Sequence, residues 1–168
     1  SCTPYRVIYA KGTTEMGELG FTVGPSLSSG LSGRDFTVDG VDYPADMDGI
    51  NCLGMEGGII AMKMLENAVA QCPEQKIFMS GYSQGAMVAR EAVAFARPEA
   101  RKQVIGVVTF GDPFNGSPIA DFDSSKIKIF CSSSDGVCKG EFSISLGHLG
   151  YVGTSTTQAV SWIKQQAR

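Results

Sequence analysis

Gly81-Tyr82-Ser83-Gln84-Gly85 places a serine between two glycines, at the junction of two segments with different patterns. The segment before it, Lys76 to Ser80, is a short apolar run typical of a β-strand. The segment after it, Gln84 to Phe95, carries small and apolar residues at helical spacing. A strand, a tight turn and a helix in this order predict a nucleophile elbow, which needs residues without bulk two positions before and after the serine. Ser83 is therefore the candidate nucleophile.

The chain contains one histidine, His148, which narrows the search for a base. A lone histidine is, on its own, more often an ordinary core or surface residue. A serine hydroxyl, however, needs a base to take its proton, and the base needs a carboxylate to fix its tautomer. In the α/β-hydrolase arrangement these residues follow in the order serine, acid, histidine. Ser83, Asp135 and His148 have this order, so we expect His148 to be the base.

Several acidic residues between the serine and the histidine compete for the role of the acid, among them Asp112, Asp121, Asp123, Asp135 and Glu141. Asp135 lies shortly after the strand-like run Lys126 to Phe130, and the carboxyl ends of parallel strands commonly carry site residues. Asp112 follows the strand-like run Val104 to Phe110 and is the alternative acid. Either aspartate could instead be an ordinary turn residue.

Together these motifs resemble the cutinase family of serine esterases, which includes the fungal acetylxylan esterases. The similarity extends over nearly the whole chain. It rests on four segments, namely Tyr9 to Glu15, Gly81 to Gly85, Asp135 to Cys138 and His148 to Tyr151. The resemblance implies a lidless α/β-hydrolase that cleaves carboxylic esters and needs no cofactor or metal.

The resemblance also implies roles for single residues. It makes Ser83 the nucleophile, Asp135 the acid and His148 the base, in agreement with the chain order. It makes the backbone amide of Gln84 one donor of an oxyanion hole, and the amide and hydroxyl of Thr13 the other. Such donors stabilise the charge that develops on the ester oxygen. Without the resemblance, Thr13 would be read as part of a polar turn after a strand.

The five cysteines of the chain indicate an oxidising compartment. Two bridges and one thiol can be formed from them in fifteen ways, and the resemblance selects Cys2 with Cys72 and Cys131 with Cys138. Cys52 is then left over, and we expect a buried thiol, because free cysteine behaves as a small hydrophobe. A zinc site is disfavoured by the absence of a Cys-x-x-Cys pair and by the single histidine.

Length and composition predict one secreted, extracellular domain over residues 1–168. The net charge is −3 and charged residues make up 18% of the chain, so no basic patch suggests nucleic acid or an anionic membrane as a partner. No apolar stretch approaches the roughly 20 residues that cross a bilayer. We expect a monomer that acts on a neutral acyl ester or polyester and does not insert into a membrane.

Alternating patterns predict a three-layer α/β sandwich, in which a five-stranded parallel sheet has helices on both faces. The predicted strands are Arg6 to Ala10, Thr37 to Tyr43, Lys76 to Ser80, Val104 to Phe110 and Lys126 to Phe130. The predicted helices are Gly17 to Leu31, Met55 to Gln71, Gln84 to Phe95 and Thr156 to Gln166.

Two apolar loops near the site suggest the substrate class. By resemblance, the loops would surround an exposed serine and hold an acyl chain through Leu53, Val137, Phe142, Ile144 and Leu149. Each of these side chains could equally be ordinary core.

Three hypotheses follow. The first is an esterase that acts on cutin, synthetic polyesters and short- to medium-chain acyl esters. The second is an acetylxylan esterase, favoured by Thr13 and by Gly111-Asp112-Pro113. The third is a catalytically silent member of the family that binds a surface or a partner.

Overall fold

The computed structural model describes residues 2–168. Its centre is a five-stranded sheet with the order β2-β1-β3-β4-β5, in which every neighbouring pair is parallel. The strands are β1 Tyr5–Ala10, β2 Phe36–Gly40, β3 Lys76–Tyr82, β4 Val104–Phe110 and β5 Ile127–Phe130. The helices are α1 Val23–Gly30, α2 Met47–Asn51, α3 Met55–Gln71, α4 Gln84–Phe95, α5 Pro98–Arg101, α6 Leu146–Leu149 and α7 Thr154–Gln166. Two 3₁₀ turns cover Ser124–Lys126 and Gly136–Lys139.

The sheet is buried on both faces, because alternate residues of each strand point to opposite sides. One face packs against α3 and α4, and its buried residues include Ile8, Met79 and Val107. The other face packs against α1 and α7, and its buried residues include Val7, Phe78 and Val108. The three-layer α/β sandwich predicted from the alternating pattern is confirmed.

The first helix is shorter than predicted, since it begins at Val23 and not at Gly17. The cause is the buried carboxylate of Glu15, which accepts hydrogen bonds from the backbone amides of Gly12, Phe21 and Thr22. These amides hold the backbone in a loop around the Glu15 carboxylate. The loop 12–22 therefore replaces the first turns of the predicted helix.

The second strand also ends earlier than predicted, at Gly40 and not at Tyr43. The chain turns after Val41, whose amide still bonds to the carbonyl of Tyr9, and the Tyr43 amide then bonds back to Val41. The Tyr43 hydroxyl donates to the carbonyl of Lys11. Tyr43 thus supports the loop after β1 rather than extending the sheet.

The expectation for Cys52 is wrong, because its free thiol is exposed. Cys52 caps the short helix α2 in a tight surface turn, followed by Leu53 and Gly54 with positive φ of 55° and 75°. The Cys52 side chain stays in solvent at this turn. The other four cysteines are bonded as Cys2–Cys72 and Cys131–Cys138.

All five parallel strands end at the same edge of the sheet, and the loops that follow β1, β3, β4 and β5 carry polar side chains. The loops begin at Lys11, Ser83, Gly111 and Cys131. In parallel sheets such an edge is where ligands bind. Within the described residues, no helix is long and apolar enough to cross a membrane.

Candidate active site

Ser83 sits on a strained turn between β3 and α4, with φ of 61° and ψ of −119°. The turn is possible because two glycines allow close backbone contacts. A Cβ on Gly81 would lie 1.9 Å from the carbonyl oxygen of Gly85, and one on Gly85 would lie 2.0 Å from that of Ala10. The Ser83 amide donates to the carbonyl of Phe110 at 2.9 Å. Backbone packing therefore fixes Ser83 at the carboxyl-terminal edge of the sheet.

A line of hydrogen bonds runs from Ser83 through His148 to Asp135. The distance from Ser83 Oγ to His148 Nε2 is 2.9 Å, and that from His148 Nδ1 to Asp135 Oδ2 is 2.8 Å. Asp135 is completely buried, His148 is nearly so, and Ser83 is partly accessible. With Nδ1 bonded to the carboxylate, Nε2 is free to accept the serine proton.

Asp112, the alternative acid, has other partners. Its Oδ2 accepts hydrogen bonds from Arg90 Nε at 2.8 Å and from the Thr109 hydroxyl at 2.7 Å. Its Oδ1 accepts from the amide of Phe114. Asp112 thus ties the loop after β4 to α4. Asp121, Asp123 and Glu141 are exposed.

His148 lies on α6, a single helical turn that the sequence pattern did not predict. Ser145 caps this turn, with its hydroxyl oxygen accepting from the His148 amide. Tyr82 donates its hydroxyl to the His148 carbonyl at 2.7 Å, and the two rings stack with centroids 5.0 Å apart. On another side, a Cβ on Gly111 would lie 2.8 Å from the imidazole. Tyr82 thus holds His148 both through the backbone carbonyl and by stacking on the imidazole ring, and the backbone at Gly111 packs closely against the same ring.

Burial raises the pKa of Tyr82 well above its usual range, and the nearby carboxylates of Glu15 and Asp135 add to the effect. Burial likewise raises the pKa of Tyr151, together with its hydrogen bond to Asp135. Both phenols therefore remain protonated around neutral pH. They act in the site as hydrogen-bond donors and not as bases.

Thr13 and Gln84 meet on the other side of the serine. Gln84 begins α4, so its backbone amide is one of the free donors of a helix N-terminus. Its side-chain Nε2 donates to Thr13 Oγ1 at 3.0 Å and to the carbonyl of Asp46 at 2.9 Å. Because the Thr13 oxygen accepts this bond, its own proton is free to point elsewhere. Thr14 is bound to the same segment through its amide and the Ala45 carbonyl.

A cleft of about 240 Å³ opens above Ser83. Exposed apolar side chains form its margin, which we call the apolar rim and define as Phe21, Met47, Phe142, Ile144 and Leu149. Phe21 is 69% exposed and Ile144 is 64% exposed, so the rim is apolar surface rather than core. Val137 also lines the cleft but is buried beneath it. Four larger clefts, of about 330 to 620 Å³, are lined by residues that do not include Ser83.

Leu53 does not line this cleft and is half exposed beside Cys52. Two rim residues escaped the sequence reasoning. Phe21 was placed inside a predicted helix, and Met47 lies on α2, a helix too short to produce a periodic pattern.

Comparison with known proteins identifies the family of the chain. Residues 1–167 match the family described as Cutinase. The chain is 38% identical to a cutinase of Botryotinia fuckeliana, over 99% of this chain and 85% of the relative. It is 41% identical to cutinase 4 of Emericella nidulans, over 94% of this chain and 70% of the relative. The chain belongs to the cutinase family. It is a carboxylic ester hydrolase, as the resemblance implied.

Solved structures with the same fold include two esterases. Trichoderma reesei cutinase in complex with a phosphonate inhibitor superposes with a TM-score of 0.91 and 32% identity, over 99% of this chain and 78% of that one. An acetylxylan esterase superposes with a TM-score of 0.84 and 22% identity, over all of both chains. The second likeness shows a shared fold only.

Proposed function

We propose that this protein hydrolyses cutin, related polyesters and short- to medium-chain acyl esters through a covalent acyl-enzyme formed on Ser83. The observation that carries the proposal is the line Ser83–His148–Asp135, at 2.9 and 2.8 Å, beneath an open cleft with an apolar rim. Serine, imidazole and buried carboxylate in this geometry constitute the arrangement used for acyl transfer.

In the first half of the reaction, Ser83 Oγ attacks the ester carbonyl while His148 Nε2 takes its proton. Asp135 stabilises the imidazolium that forms. The tetrahedral intermediate collapses when His148 gives the proton to the leaving alcohol, which breaks the ester C–O bond. Ser83 then carries the acyl group as an ester.

In the second half, water replaces the alcohol. His148 takes a proton from water, whose oxygen attacks the acyl carbonyl, and returns it to Ser83 as the acid leaves. Both tetrahedral intermediates carry negative charge on the former carbonyl oxygen. The Gln84 amide, the Thr13 amide and the Thr13 hydroxyl are the donors that we assign to this oxygen. A donor of this type contributes roughly 3–4 kcal/mol.

The apolar rim supports an acyl chain or a polyester segment as the substrate. Leu149, Phe142 and Ile144 belong to the segment 131–152, whereas Phe21 belongs to the loop 12–22 and Met47 to α2. Apolar contacts lower the free energy of a bound chain by about 0.8 kcal/mol for each buried CH₂. Val137 forms the floor, so Val137, Phe142, Ile144 and Leu149 are proposed to contact substrate, whereas Leu53 is not.

Acetylxylan esterase activity is the alternative. Thr13 favours it, because the family resemblance associates threonine at this position with the acetylxylan esterase branch. An acetyl group would leave most of the apolar rim unused, so the rim favours longer acyl groups.

We further propose that residues 1–168 act as one monomeric catalytic domain outside the cell. Two disulfides support an oxidising compartment.

The test is kcat/KM on p-nitrophenyl acetate, butyrate, octanoate and palmitate, with Ser83→Ala as the blank and acetylated xylan and a polyester film as polymers. We expect a maximum at butyrate or octanoate and release of acid from the film. Activity confined to acetate and to acetylated xylan would replace the proposal with the alternative.

A further inference from the structure

Tyr151 contacts the carboxylate of the proposed acid directly. Its hydroxyl donates to Asp135 Oδ2 at 2.6 Å. The same hydroxyl oxygen accepts a hydrogen bond from the Ser132 amide at 3.0 Å. An amide can only donate, so the phenol proton must point to Asp135. The direction of the bond is thereby fixed.

The oxygen that Tyr151 contacts is also the one that faces the histidine. Asp135 Oδ2 accepts from His148 Nδ1 at 2.8 Å, while Oδ1 accepts from the amide of Val137 at 2.9 Å. Two donors therefore share Oδ2. A bond to a charged acceptor is stronger than a neutral one and draws negative charge toward the donor. Tyr151 thus reduces the charge that the imidazole ring experiences.

Aromatic packing keeps the Tyr151 ring in place. It meets Phe110, Tyr82 and His148 edge to face, with centroids 6.3, 6.2 and 6.5 Å away. The hydroxyl also lies 3.8 Å from the Cys138 sulfur of the bridge to Cys131. The side chain is buried. Water therefore cannot easily take the place of its hydroxyl.

We propose that Tyr151 is a positioning residue for ester hydrolysis, whose hydroxyl orients the Asp135 carboxylate and limits how strongly it holds the proton of the His148 imidazolium. The inference rests on the proposed function of Ser83, His148 and Asp135. The groups that can ionise around the imidazole are Asp135 on one edge, the Tyr82 and Tyr151 phenols, and Glu15, which lines the same cleft. The Glu15 carboxylate accepts hydrogen bonds from the backbone of the loop 12–22, whereas Asp135 is bonded to the ring itself. Neither phenol is charged in the working range of pH, so Asp135 is the charged neighbour that Tyr151 modulates.

The test compares Tyr151→Phe with Tyr5→Phe. Tyr5 also donates its hydroxyl in a hydrogen bond, but to the backbone carbonyl of Ala167, at 2.8 Å. Tyr5 lies at the start of β1, at the opposite end of the sheet from the site. Because the chain has a single histidine, its ring protons give one unambiguous NMR titration that needs no substrate. Removing the Tyr151 hydroxyl leaves more charge on Oδ2 and favours the imidazolium. We expect the titration midpoint of Tyr151→Phe to rise by roughly one pH unit, a typical size for such environmental effects.

The midpoint of the acid limb in the pH profile of kcat/KM should rise by the same amount, because imidazolium cannot accept the serine proton. Tyr5→Phe should leave both midpoints unchanged. An unchanged imidazole titration in folded Tyr151→Phe would overturn the inference, and so would an equal change in Tyr5→Phe. Full esterase activity in Ser83→Ala would instead overturn the proposed function, and the titration would still report on Tyr151.

If Tyr151→Phe loses its near-UV circular dichroism, the wild-type protein decides the question. With tyrosine labelled at Cζ, we expect a slowly exchanging Tyr151 hydroxyl proton. Exchange as rapid as that of a solvent-exposed phenol would contradict the hydrogen bond to Asp135.

Discussion

The elbow, residues 76–95, and the segment 131–152 hold the two halves of the site by different means. The elbow joins a central strand to a buried helix, and its glycines allow backbone contacts that no side chain would permit. The segment 131–152 contains only a 3₁₀ turn and the short helix α6. A disulfide, a capping serine and two tyrosine hydroxyls hold it.

This difference predicts how each half fails. The serine is held by main-chain packing, so displacing it means disturbing the fold. Asp135 and His148 are held by side-chain bonds, so their alignment can be lost while the sheet and its helices remain. The following predictions test this contrast.

The largest expected effect comes from removing one chemical group in either half. Ser83→Ala and His148→Ala should each lower kcat by about 10⁶-fold, and the double variant should lose little more, because the groups act as a unit. Esterase assays measure the loss of kcat, and thermal unfolding measures whether the fold is retained. Ser133→Ala, an exposed serine of the second segment, is the control. Substantial turnover in either variant would contradict the assigned roles.

Gly85→Ala should destabilise the fold and disrupt the site at the same time. A Cβ there would lie 2.0 Å from the Ala10 carbonyl oxygen, and we expect the free energy of unfolding to fall by about 3 kcal/mol. Urea denaturation measures it. Gly116→Ala is the control, since Gly116 has φ of 85° but open space around it, and its backbone strain should cost only about 1 kcal/mol. Equal losses would show that close packing does not stabilise the elbow.

Replacing Cys131 and Cys138 by alanine should have a larger effect on activity than on the stability of the fold. The bridge closes a loop with a sequence separation of 7, so its contribution to stability is at most about 2.5 kcal/mol. Displacing Asp135 should lower kcat on the order of tenfold or more. The Cys2–Cys72 pair, replaced in the same way, should lower the melting temperature and leave kcat near the wild-type value. An unchanged kcat in the first variant would mean that Tyr151 and Val137 suffice to hold Asp135.

The smallest effect concerns a side chain of the elbow that acts at a distance from the reacting bond. Gln84→Met removes the donor to Thr13 and keeps the backbone amide. We expect kcat to fall about fivefold, the equivalent of one hydrogen bond of about 1 kcal/mol, with KM unchanged. Gln103→Met, which removes donors to the carbonyls of Cys72 and Gln75 far from the site, is the matched control. A rise in KM alone would make Gln84 a binding residue.

Much of the fold followed from local pattern. The alternation of apolar runs and helical segments predicted all five strands and the long helices α3, α4 and α7. It failed where a side chain competes with the backbone. The carboxylate of Glu15 takes the amides that a longer α1 would have used, and no propensity of residues 17–22 reveals this.

The site was predicted in part. Chain order proposed Ser83, Asp135 and His148, and the structure brings these three within hydrogen-bond distance. Sequence reasoning assigned no role to Tyr82 or Tyr151, although both lay inside quoted motifs. Their contribution depends on contacts with His148 and Asp135 that cross 66 and 16 positions of the chain.

By itself, the sequence determined the parallel sheet and the strained serine turn, because both depend on periodicity and on small residues at fixed spacing. The residue pattern alone left both Asp135 and Asp112 possible as the acid, and the resemblance chose Asp135. The tertiary structure shows that Asp135 contacts His148 whereas Asp112 is bonded to Arg90. It also decided which apolar residues form the rim and that Cys52 is exposed. Those outcomes depend on how loops from separate strands meet at one edge of the sheet, and a linear pattern carries no record of such contacts.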